Sequence, residues 1–292
     1  MIDPSLFKYD VHQPFDVQPA APPAEHAGGV TVHDTSFAAG AGRVAAYLVE
    51  PPPSAEPPYA GVLWVHWFEP EARSSNRTQF LEEAVALARH GVVSLLPDGF
   101  WSTTPARWAE NPRYGWKTEV EHDRALCARQ VIELRRALDL LAARSDIDEK
   151  RLAFVGHDFG AMYGAMAAGL ESRLKGCVLM AGTFTFGDWF LFGKKLDDAA
   201  QRAYIEAMDP LAPVHFVKQA APARLLFQFA HADVYVPERS ASIFYEAASE
   251  PKEILWYEAA HDLDDMRKDS RRDRTRWLRA LLGLPPADEA QT

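Results

Sequence analysis

Short apolar runs and longer stretches with helical spacing alternate along the chain from Tyr59 onward. Apolar runs of about four to eight residues indicate buried strands, and apolar residues three or four positions apart indicate helices that bury one face. The predicted strands are 61–66, 92–96, 151–157, 175–181, 223–229 and 253–257. Strands that alternate with helices in this way predict an α/β fold, a mostly parallel sheet with helices on both faces.

The first part of the chain has a different pattern. Residues 1–29 contain five prolines and a Gly-Gly pair and show no sustained period, which predicts an extended Pro-rich arm. Such an arm lies over the body of its own chain or over a partner subunit, and the second arrangement would give a homodimer through the arm. Residues 30–38 and 43–50 flank Ala-Gly-Ala-Gly and predict a β-hairpin. We expect residues 30–292 to form a single domain.

One predicted strand ends in Gly156-His157-Asp158-Phe159-Gly160. Gly-x-Asp-x-Gly between an apolar run and a helical pattern is the layout of a nucleophile elbow, with aspartate where serine is usual. The two glycines allow the strand and the helix to approach each other around a strained tip. The N–H groups at the start of the following helix favour negative charge beside that tip. Asp158 is therefore the candidate nucleophile.

Two later strand ends carry the other residue types that nucleophilic catalysis requires. The run 225–229 leads to Asp233 in an Asp-x-x-Val-Pro sequence, and the run 254–257 leads to His261. Carboxyl ends of parallel strands share one edge of a sheet, where open α/β sheets place their ligands. The order nucleophile, acid, base is thus available as Asp158, Asp233 and His261.

These three positions, in this order, resemble the α/β-hydrolase superfamily. The layout is similar to dienelactone hydrolases and related acyl-peptidase-like enzymes, whereas Gly-His-Asp-x-Gly resembles epoxide hydrolases, haloalkane dehalogenases and fluoroacetate dehalogenases, whose elbow aspartate attacks carbon. The resemblance covers roughly residues 59–283. It implies the α/β-hydrolase fold, with a mostly parallel central sheet, helices on both faces and a small inserted cap.

A carboxylate nucleophile suits some substrates better than others. Its attack on an ester carbonyl would give an energy-rich anhydride, whereas displacement at a saturated carbon gives an ordinary alkyl ester. We therefore predict a cofactor-free hydrolase in which Asp158 forms an alkyl-enzyme ester with a small epoxide or halogenated substrate, and the Asp233–His261 pair activates the water that cleaves it. Two alternatives stay open: a dienelactone-hydrolase-like ester or lactone hydrolase with Asp158 as general base, and a non-catalytic homologue that binds a ligand.

The position of the elbow also indicates the rest of the site. The resemblance implies an oxyanion hole made by the backbone N–H groups of Phe159 and Trp67. Two aromatic-rich segments near 98–117 and 183–218 interrupt the alternation after strand ends and are predicted to be lid-like. The candidates for the substrate pocket are Trp101, Tyr114, Trp116, Trp189 and Tyr204.

Composition limits the partners of the chain. The formal net charge of -10, with basic residues interleaved with acidic ones, argues against a nucleic-acid partner. The chain has no apolar run near the length of a membrane span and no signal-peptide pattern at its N-terminus, so we expect no membrane association and a cytoplasmic location. Cys127 and Cys177 are expected to be reduced core residues, and His66 and His157 show no metal-ligand spacing. We expect a small-molecule substrate and neither a metal nor a cofactor.

Overall fold

The strands of the alternating pattern lie in a single sheet. The computed structural model describes residues 3–69, 75–102, 119–191, 196–264 and 269–286. The strands of this sheet are β1 (Gln18–Pro19), β2 (Ala24–His26), β3 (Val30–Ala39), β4 (Gly42–Glu50), β5 (Tyr59–Val65), β6 (Val92–Pro97), β7 (Ile147–His157), β8 (Leu174–Met180), β9 (Arg224–Ala230) and β10 (Lys252–Tyr257). The predicted strands therefore agree with the structure to within a few residues at their ends.

The sheet has an antiparallel half and a parallel half. Its strand order is β1-β3-β4-β6-β5-β7-β8-β9-β10, and β2 also pairs with β3. The pairs from β6 through β5, β7, β8 and β9 to β10 are all parallel. The predicted hairpin is β3–β4, and it joins the same sheet through antiparallel pairing of β4 with β6. The elbow strand β7 is central, so the loops that follow β5, β7, β9 and β10 meet at one edge.

Helices cover both faces of this sheet. They are α1 (Leu81–Ala88), α2 (Val120–Ala142), α3 (Phe159–Leu170), α4 (Gly187–Phe190), α5 (Asp198–Met208), α6 (Pro213–Val217), α7 (Glu238–Ala247) and α8 (Asp269–Leu281). One apolar core packs α2, α3, α6 and α7 against one face, and a second packs α1 and α8 against the other. Successive β5 residues alternate between them, since Leu63 belongs to the first core and Trp64 to the second. This arrangement confirms the predicted α/β fold.

The N-terminal arm lies on its own chain. Phe7 is buried and packs edge-on against Phe216 of α6, with ring centroids 5.6 Å apart. Arg136 of α2 is fully buried and donates to the backbone carbonyls of Val11 and Gln13, at 3.5 and 2.6 Å. These contacts correspond to the first of the two arrangements expected for the arm, and the homodimer stays a prediction.

The two segments predicted to be lid-like differ in how much of them is described. Residues 103–118 lie outside the described residues, so the prediction for that segment stays open. The described part of 183–218 contains α4, α5, the 3₁₀ turn Asp209–Leu211 and α6 between β8 and β9. None of the helices in the described ranges combines the length and apolar character needed to cross a membrane. Cys127 and Cys177 are unpaired and buried, and burial raises the pKa of each thiol to about 12.

Candidate active site

Asp158 lies at the tip of a tight turn between β7 and α3. Its backbone has φ 57° and ψ -118°, a conformation with positive φ that side chains other than glycine rarely adopt. The flanking glycines are required by space, because a Cβ on Gly160 would lie 2.1 Å from the carbonyl oxygen of Val65. A Cβ on Gly156 would lie 2.3 Å from the carbonyl oxygen of Gly160. The elbow geometry predicted from the sequence is therefore present.

The two carboxylate oxygens of Asp158 have different surroundings. Oδ2 accepts a hydrogen bond from the backbone N–H of Phe68 at 3.1 Å. Oδ1 is buried and has no hydrogen-bond partner among the described residues. Burial raises the pKa of Asp158 to about 6, although the charge of His261 and the N–H of Phe68 act to lower it. The group is thus a carboxylate that titrates near neutral pH.

Asp233 and His261 form a hydrogen-bonded pair at neighbouring strand ends. Oδ2 of Asp233 lies 2.8 Å from Nδ1 of His261, and Oδ1 accepts from the backbone N–H groups of Tyr235 and Val236 at 2.8 and 3.0 Å. Because the carboxylate can only accept, Nδ1 carries the proton and Nε2 is the ring nitrogen that can take another. Burial lowers the pKa of His261, but the bond to Asp233 and the charges of Asp158 and Asp233 outweigh it and raise the pKa overall. The structure therefore brings the three predicted residues together.

The oxyanion-hole donor on the loop after β5 differs from the sequence prediction. The N–H of Trp67 donates to Oε1 of Gln79 at 2.9 Å, and Phe68, one residue further on, donates to Asp158. The candidate donor on this loop is therefore the N–H of Phe68 and not, as predicted, that of Trp67. Phe159, the other predicted donor, is the first residue of α3 and follows Asp158 directly, and its part in an oxyanion hole stays a prediction.

The predicted pocket residues have different locations. The Trp189 ring lies 5.7 Å from the His261 ring and 5.5 Å from the Phe159 ring, so it is at the site. Trp101 is fully buried, and its indole N–H donates to the carbonyl oxygen of Trp67 at 3.1 Å. Tyr204 is buried and donates to Oδ2 of Asp123 on α2 at 2.6 Å. The hydroxyl of Tyr204 thus bonds within neighbouring structure, whereas the Trp101 ring also stacks on Phe159, with 5.2 Å between centroids, behind the elbow. Tyr114 and Trp116 lie outside the described residues.

One aromatic residue at the site was not predicted. The Tyr235 ring lies 5.1 Å from His261, edge-on, and 6.2 Å from Trp189, with which it stacks. It is 44% exposed, and its neighbour Val234 is 83% exposed. The signal was present in the sequence, since Tyr235 lies inside the Asp-x-x-Val-Pro stretch that marked Asp233. Within the described residues no cluster of three His, Cys, Asp or Glu side chains is arranged to hold a metal ion.

No protein-family model and no curated protein sequence matches the chain. Solved structures do match it. An acetyl xylan esterase from Paenibacillus sp. R4 is 16% identical with a TM-score of 0.73, and the match covers 92% of this chain and 89% of the esterase. A protein described as a dienelactone hydrolase from Klebsiella pneumoniae is 18% identical with a TM-score of 0.63, over 87% of this chain and 98% of that one.

A cold-adapted esterase from an Arctic intertidal metagenomic library is 15% identical with a TM-score of 0.65, over 91% of this chain and 99% of that one. At identities this low the likeness shows the fold. The chain has the α/β-hydrolase fold, and the elbow, the acid and the histidine occupy strand ends of its central sheet.

Proposed function

We propose that this chain is a hydrolase in which Asp158 attacks a saturated carbon and forms an alkyl-enzyme ester. The observation that carries the proposal is that the two oxygens of the Asp158 carboxylate have different hydrogen-bond partners. Oδ2 is held by the N–H of Phe68, while the buried Oδ1 has no hydrogen-bond partner among the described residues. An oxygen without a donor is the better nucleophile, because attack does not require breaking a hydrogen bond. Oδ1 thus forms the new bond to carbon as the leaving group departs with the bonding electrons.

The same arrangement suits the second step, hydrolysis of the ester. Nε2 of His261 takes a proton from water, and the hydroxide attacks the carboxyl carbon of Asp158. Negative charge then develops on Oδ2, which already accepts from Phe68. Donors fixed before the reaction stabilise such charge without reorganisation. Collapse of this intermediate breaks the bond between the carboxyl carbon and Oδ1, so the product leaves as an alcohol with that oxygen and takes the proton back from Nε2 of His261. Asp158 is restored with one oxygen from water.

The substrate region is aromatic in the part of the chain that the structure describes. Trp189 and Tyr235 lie beside His261, whereas the indole N–H of Trp101 and the hydroxyl of Tyr204 donate to other groups. Flat apolar walls with few polar groups are typical of sites for small, partly apolar ligands. A small epoxide or halogenated compound fits this description.

A second candidate is an ester or lactone hydrolase in which Asp158 acts as a general base for water. The comparisons favour it over the epoxide or halide substrate, because the structural neighbours are named as esterases and a dienelactone hydrolase. A pKa of about 6 for Asp158 suits a base at neutral pH. Against it, Oδ2 of Asp158 already accepts from Phe68, which would otherwise be a donor for the substrate carbonyl.

A single turnover in oxygen-18 water separates the two candidates. The wild type is first given a panel of styrene oxide, chloroacetate and para-nitrophenyl acetate. In the covalent mechanism the first product molecule carries an unlabelled oxygen from Asp158, and the Asp158 peptide gains the label. Label in the first product with none in the peptide would contradict the covalent mechanism and support the general base.

Trapping the intermediate provides a second test. The variant His261→Gln removes the base for water but leaves Asp158 able to attack, so an adduct on the Asp158 peptide should accumulate and be visible by mass spectrometry. An unmodified peptide after loss of the substrate would count against the ester. Turnover of any panel member that His261→Ala abolishes without unfolding would exclude the third alternative, a non-catalytic ligand-binding homologue.

A further inference from the structure

Three hydrogen bonds connect the loop after β5 with the loop after β10. The N–H of Trp67 donates to Oε1 of Gln79 at 2.9 Å, Nε2 of Gln79 lies 2.6 Å from Nδ1 of His157, and Nε2 of His157 lies 2.8 Å from the carbonyl oxygen of His261. Gln79 follows the 3₁₀ turn Asn76–Thr78, whereas His157 ends β7. The chain of bonds therefore passes from the oxyanion-hole loop through the elbow strand to the backbone of the catalytic histidine.

The direction of every bond in this chain is fixed by chemistry. A backbone N–H can only donate, so the Gln79 oxygen must face Trp67 and its amide nitrogen must face His157. A carbonyl can only accept, so His157 must carry its proton on Nε2 and accept on Nδ1. Burial first, and then the charge of His261, hold the pKa of His157 well below its usual range, which keeps this neutral tautomer. The Gln79 amide thus accepts from the N–H of Trp67 and donates to Nδ1 of His157, and neither bond can be reversed.

The peptide that follows Trp67 is held from the opposite side as well. Its carbonyl oxygen accepts from Nδ1 of His66 at 2.6 Å and from the indole N–H of Trp101 at 3.1 Å. His66 has the proton on Nδ1, because its Nε2 accepts from the N–H of Gly99. In a trans peptide the carbonyl and the N–H point in opposite directions, so fixing the carbonyl also directs the N–H of Phe68. That N–H is the one that meets Asp158.

The ring of Trp67 strengthens the same link. It stacks on the ring of His157 with 5.1 Å between centroids and 12° between planes, and it lies 6.2 Å from the ring of His261. Trp67 is therefore fixed through its backbone N–H, its carbonyl and its side chain. The side chain of Gln79 connects the backbone N–H of Trp67 to the ring of His157.

We propose that Gln79 is a positioning residue, which fixes Trp67, and with it the N–H of Phe68, and the His261 loop relative to Asp158 through its paired bonds to the N–H of Trp67 and to His157. Its effect on turnover rests on the proposed function, because it acts through Phe68 and His261. A loss of alignment of about 1 Å at a reacting group can cost on the order of 100-fold in rate. Removal of the Gln79 amide should therefore lower kcat by about 10- to 100-fold and leave KM within about threefold.

Two substitutions divide the function of the amide. Gln79→Met removes both hydrogen bonds at similar volume. Gln79→Glu keeps an oxygen for the N–H of Trp67 but presents a second oxygen to Nδ1 of His157, so this pair must take up a proton, which we expect on the ring as an ion pair with the carboxylate. The matched control is Gln228→Met, because Gln228 is a buried glutamine whose Nε2 also makes two bonds, to Tyr257 and Ser270, neither of them to the site.

Kinetics and NMR give separate readouts. With the substrate that the wild type hydrolyses, kcat should fall most in Gln79→Met, partly recover in Gln79→Glu and stay near wild type in Gln228→Met. Nitrogen-15 NMR of the histidine rings should show the Nε2–H tautomer of His157 in the wild type and a doubly protonated ring in Gln79→Glu. The amide resonance of Phe68 and the titration midpoint of Asp158 should shift in Gln79→Met, the midpoint upward because a donor is lost.

The inference fails if Gln79→Met changes kcat no more than Gln228→Met does, or if the Phe68 amide and the Asp158 titration are unchanged in Gln79→Met. Failure of the proposed function has a different signature. In that case the wild type would hydrolyse no member of the panel, or His261→Gln would trap no adduct, while the NMR shifts at His157 and Phe68 would still show whether Gln79 positions the loop.

Discussion

Asp158 and Asp233 are the same chemical group at two strand ends of one sheet, and their surroundings differ. All the hydrogen bonds of Asp233 come from fixed donors: the N–H groups of Tyr235 and Val236 bond Oδ1, and His261 bonds Oδ2. Asp158 has a donor on Oδ2, whereas Oδ1 is buried without a hydrogen-bond partner among the described residues. A fully bonded carboxylate is a stable anion that orients a neighbour, and a partly bonded buried one is reactive.

The difference teaches that backbone geometry, more than residue type, assigns the two roles. Asp233 precedes a turn whose N–H groups converge on its side chain. Asp158 is held at positive φ on the tip of the elbow, where the N–H of Phe68 from the loop after β5 donates to one oxygen of its carboxylate. Because the two side chains are chemically identical, the difference in their hydrogen bonding comes entirely from where the backbone places them.

The largest effect is expected for Asp158→Asn. An amide is a poor nucleophile and cannot act as a base at neutral pH, so turnover of the panel substrate should fall by about 10⁴-fold or more. Steady-state kinetics measures this, with circular dichroism as the check on folding. Activity within tenfold of the wild type would exclude Asp158 both as the nucleophile and as the general base.

Asp233→Asn should have a smaller effect and a different signature. Without the carboxylate, His261 is no longer held with its proton on Nδ1, so water activation should slow by about 10²- to 10⁴-fold. Alkylation of Asp158 does not need the histidine, and an ester adduct should therefore accumulate in this variant. Intact-mass measurement after mixing with substrate detects it, and a rapid turnover without adduct would show that the two aspartates do not divide the reaction as proposed.

The pH dependence of the wild type should follow Asp158. Burial raises its pKa to about 6, and only the ionised form attacks. kcat/KM should therefore be level above pH 7 and fall about tenfold per pH unit below pH 6. A profile measured from pH 4.5 to 8 tests this, and an acidic limb with its midpoint near pH 4 would contradict a buried, weakly hydrogen-bonded carboxylate.

The smallest expected effect is on stability, and its sign differs between the two residues. The folded-state pKa of Asp158, about 6, exceeds its reference value of 3.8, so the folded state binds more protons between these values and stability falls as the pH rises through this range. The difference of about two pKa units corresponds to about 3 kcal/mol at pH 7. Asp158→Asn should therefore stabilise the fold by up to about 3 kcal/mol at pH 7 and by little near pH 4.

For Asp233→Asn the free energy of unfolding should instead decrease at pH 7, by about 1–3 kcal/mol, because charge-assisted hydrogen bonds are lost. Urea denaturation of both variants at pH 7 and pH 4 measures the four values. Destabilisation by both substitutions at pH 7 would mean that the two carboxylates are equally well satisfied in the folded state.

The fold and the positions of Asp158, Asp233 and His261 in it could be predicted because they depend on local signals. The glycines beside Asp158 are required by contacts within the elbow and with Val65 of the neighbouring strand β5. The apolar runs that form β5 to β10 are continuous in the sequence. Asp233 and His261 follow such runs directly. A strand end located from the apolar pattern therefore also locates the candidate residue that follows it.

The sequence predicted Trp67 as the donor on the loop after β5, whereas the N–H of Phe68 is the one that meets Asp158. This difference of one residue has another origin. Whether Trp67 or Phe68 donates to Asp158 depends on the bonds that hold Trp67: Gln79 accepts from its N–H, and Trp101, together with the adjacent His66, donates to its carbonyl oxygen. Gln79 and Trp101 come from other parts of the chain. Gln79 carries no local motif, so nothing in its own neighbourhood indicated a function. Trp101 and Tyr204 had the composition expected of pocket residues, but their polar groups bond to a backbone carbonyl and to Asp123 in the interior.

The hydrogen bonds from α2 to the N-terminal arm join two parts of the chain that are far apart in sequence. Arg135 donates to the carbonyl of Phe7, and Arg136 to those of Val11 and Gln13, across sequence separations of 123 to 128 residues. Residues 7–13 precede α2 by more than a hundred positions, so these bonds can form only after Arg135 and Arg136 have emerged from the ribosome. A nascent chain stopped before residue 135 would lack these donors for the carbonyls of Phe7, Val11 and Gln13.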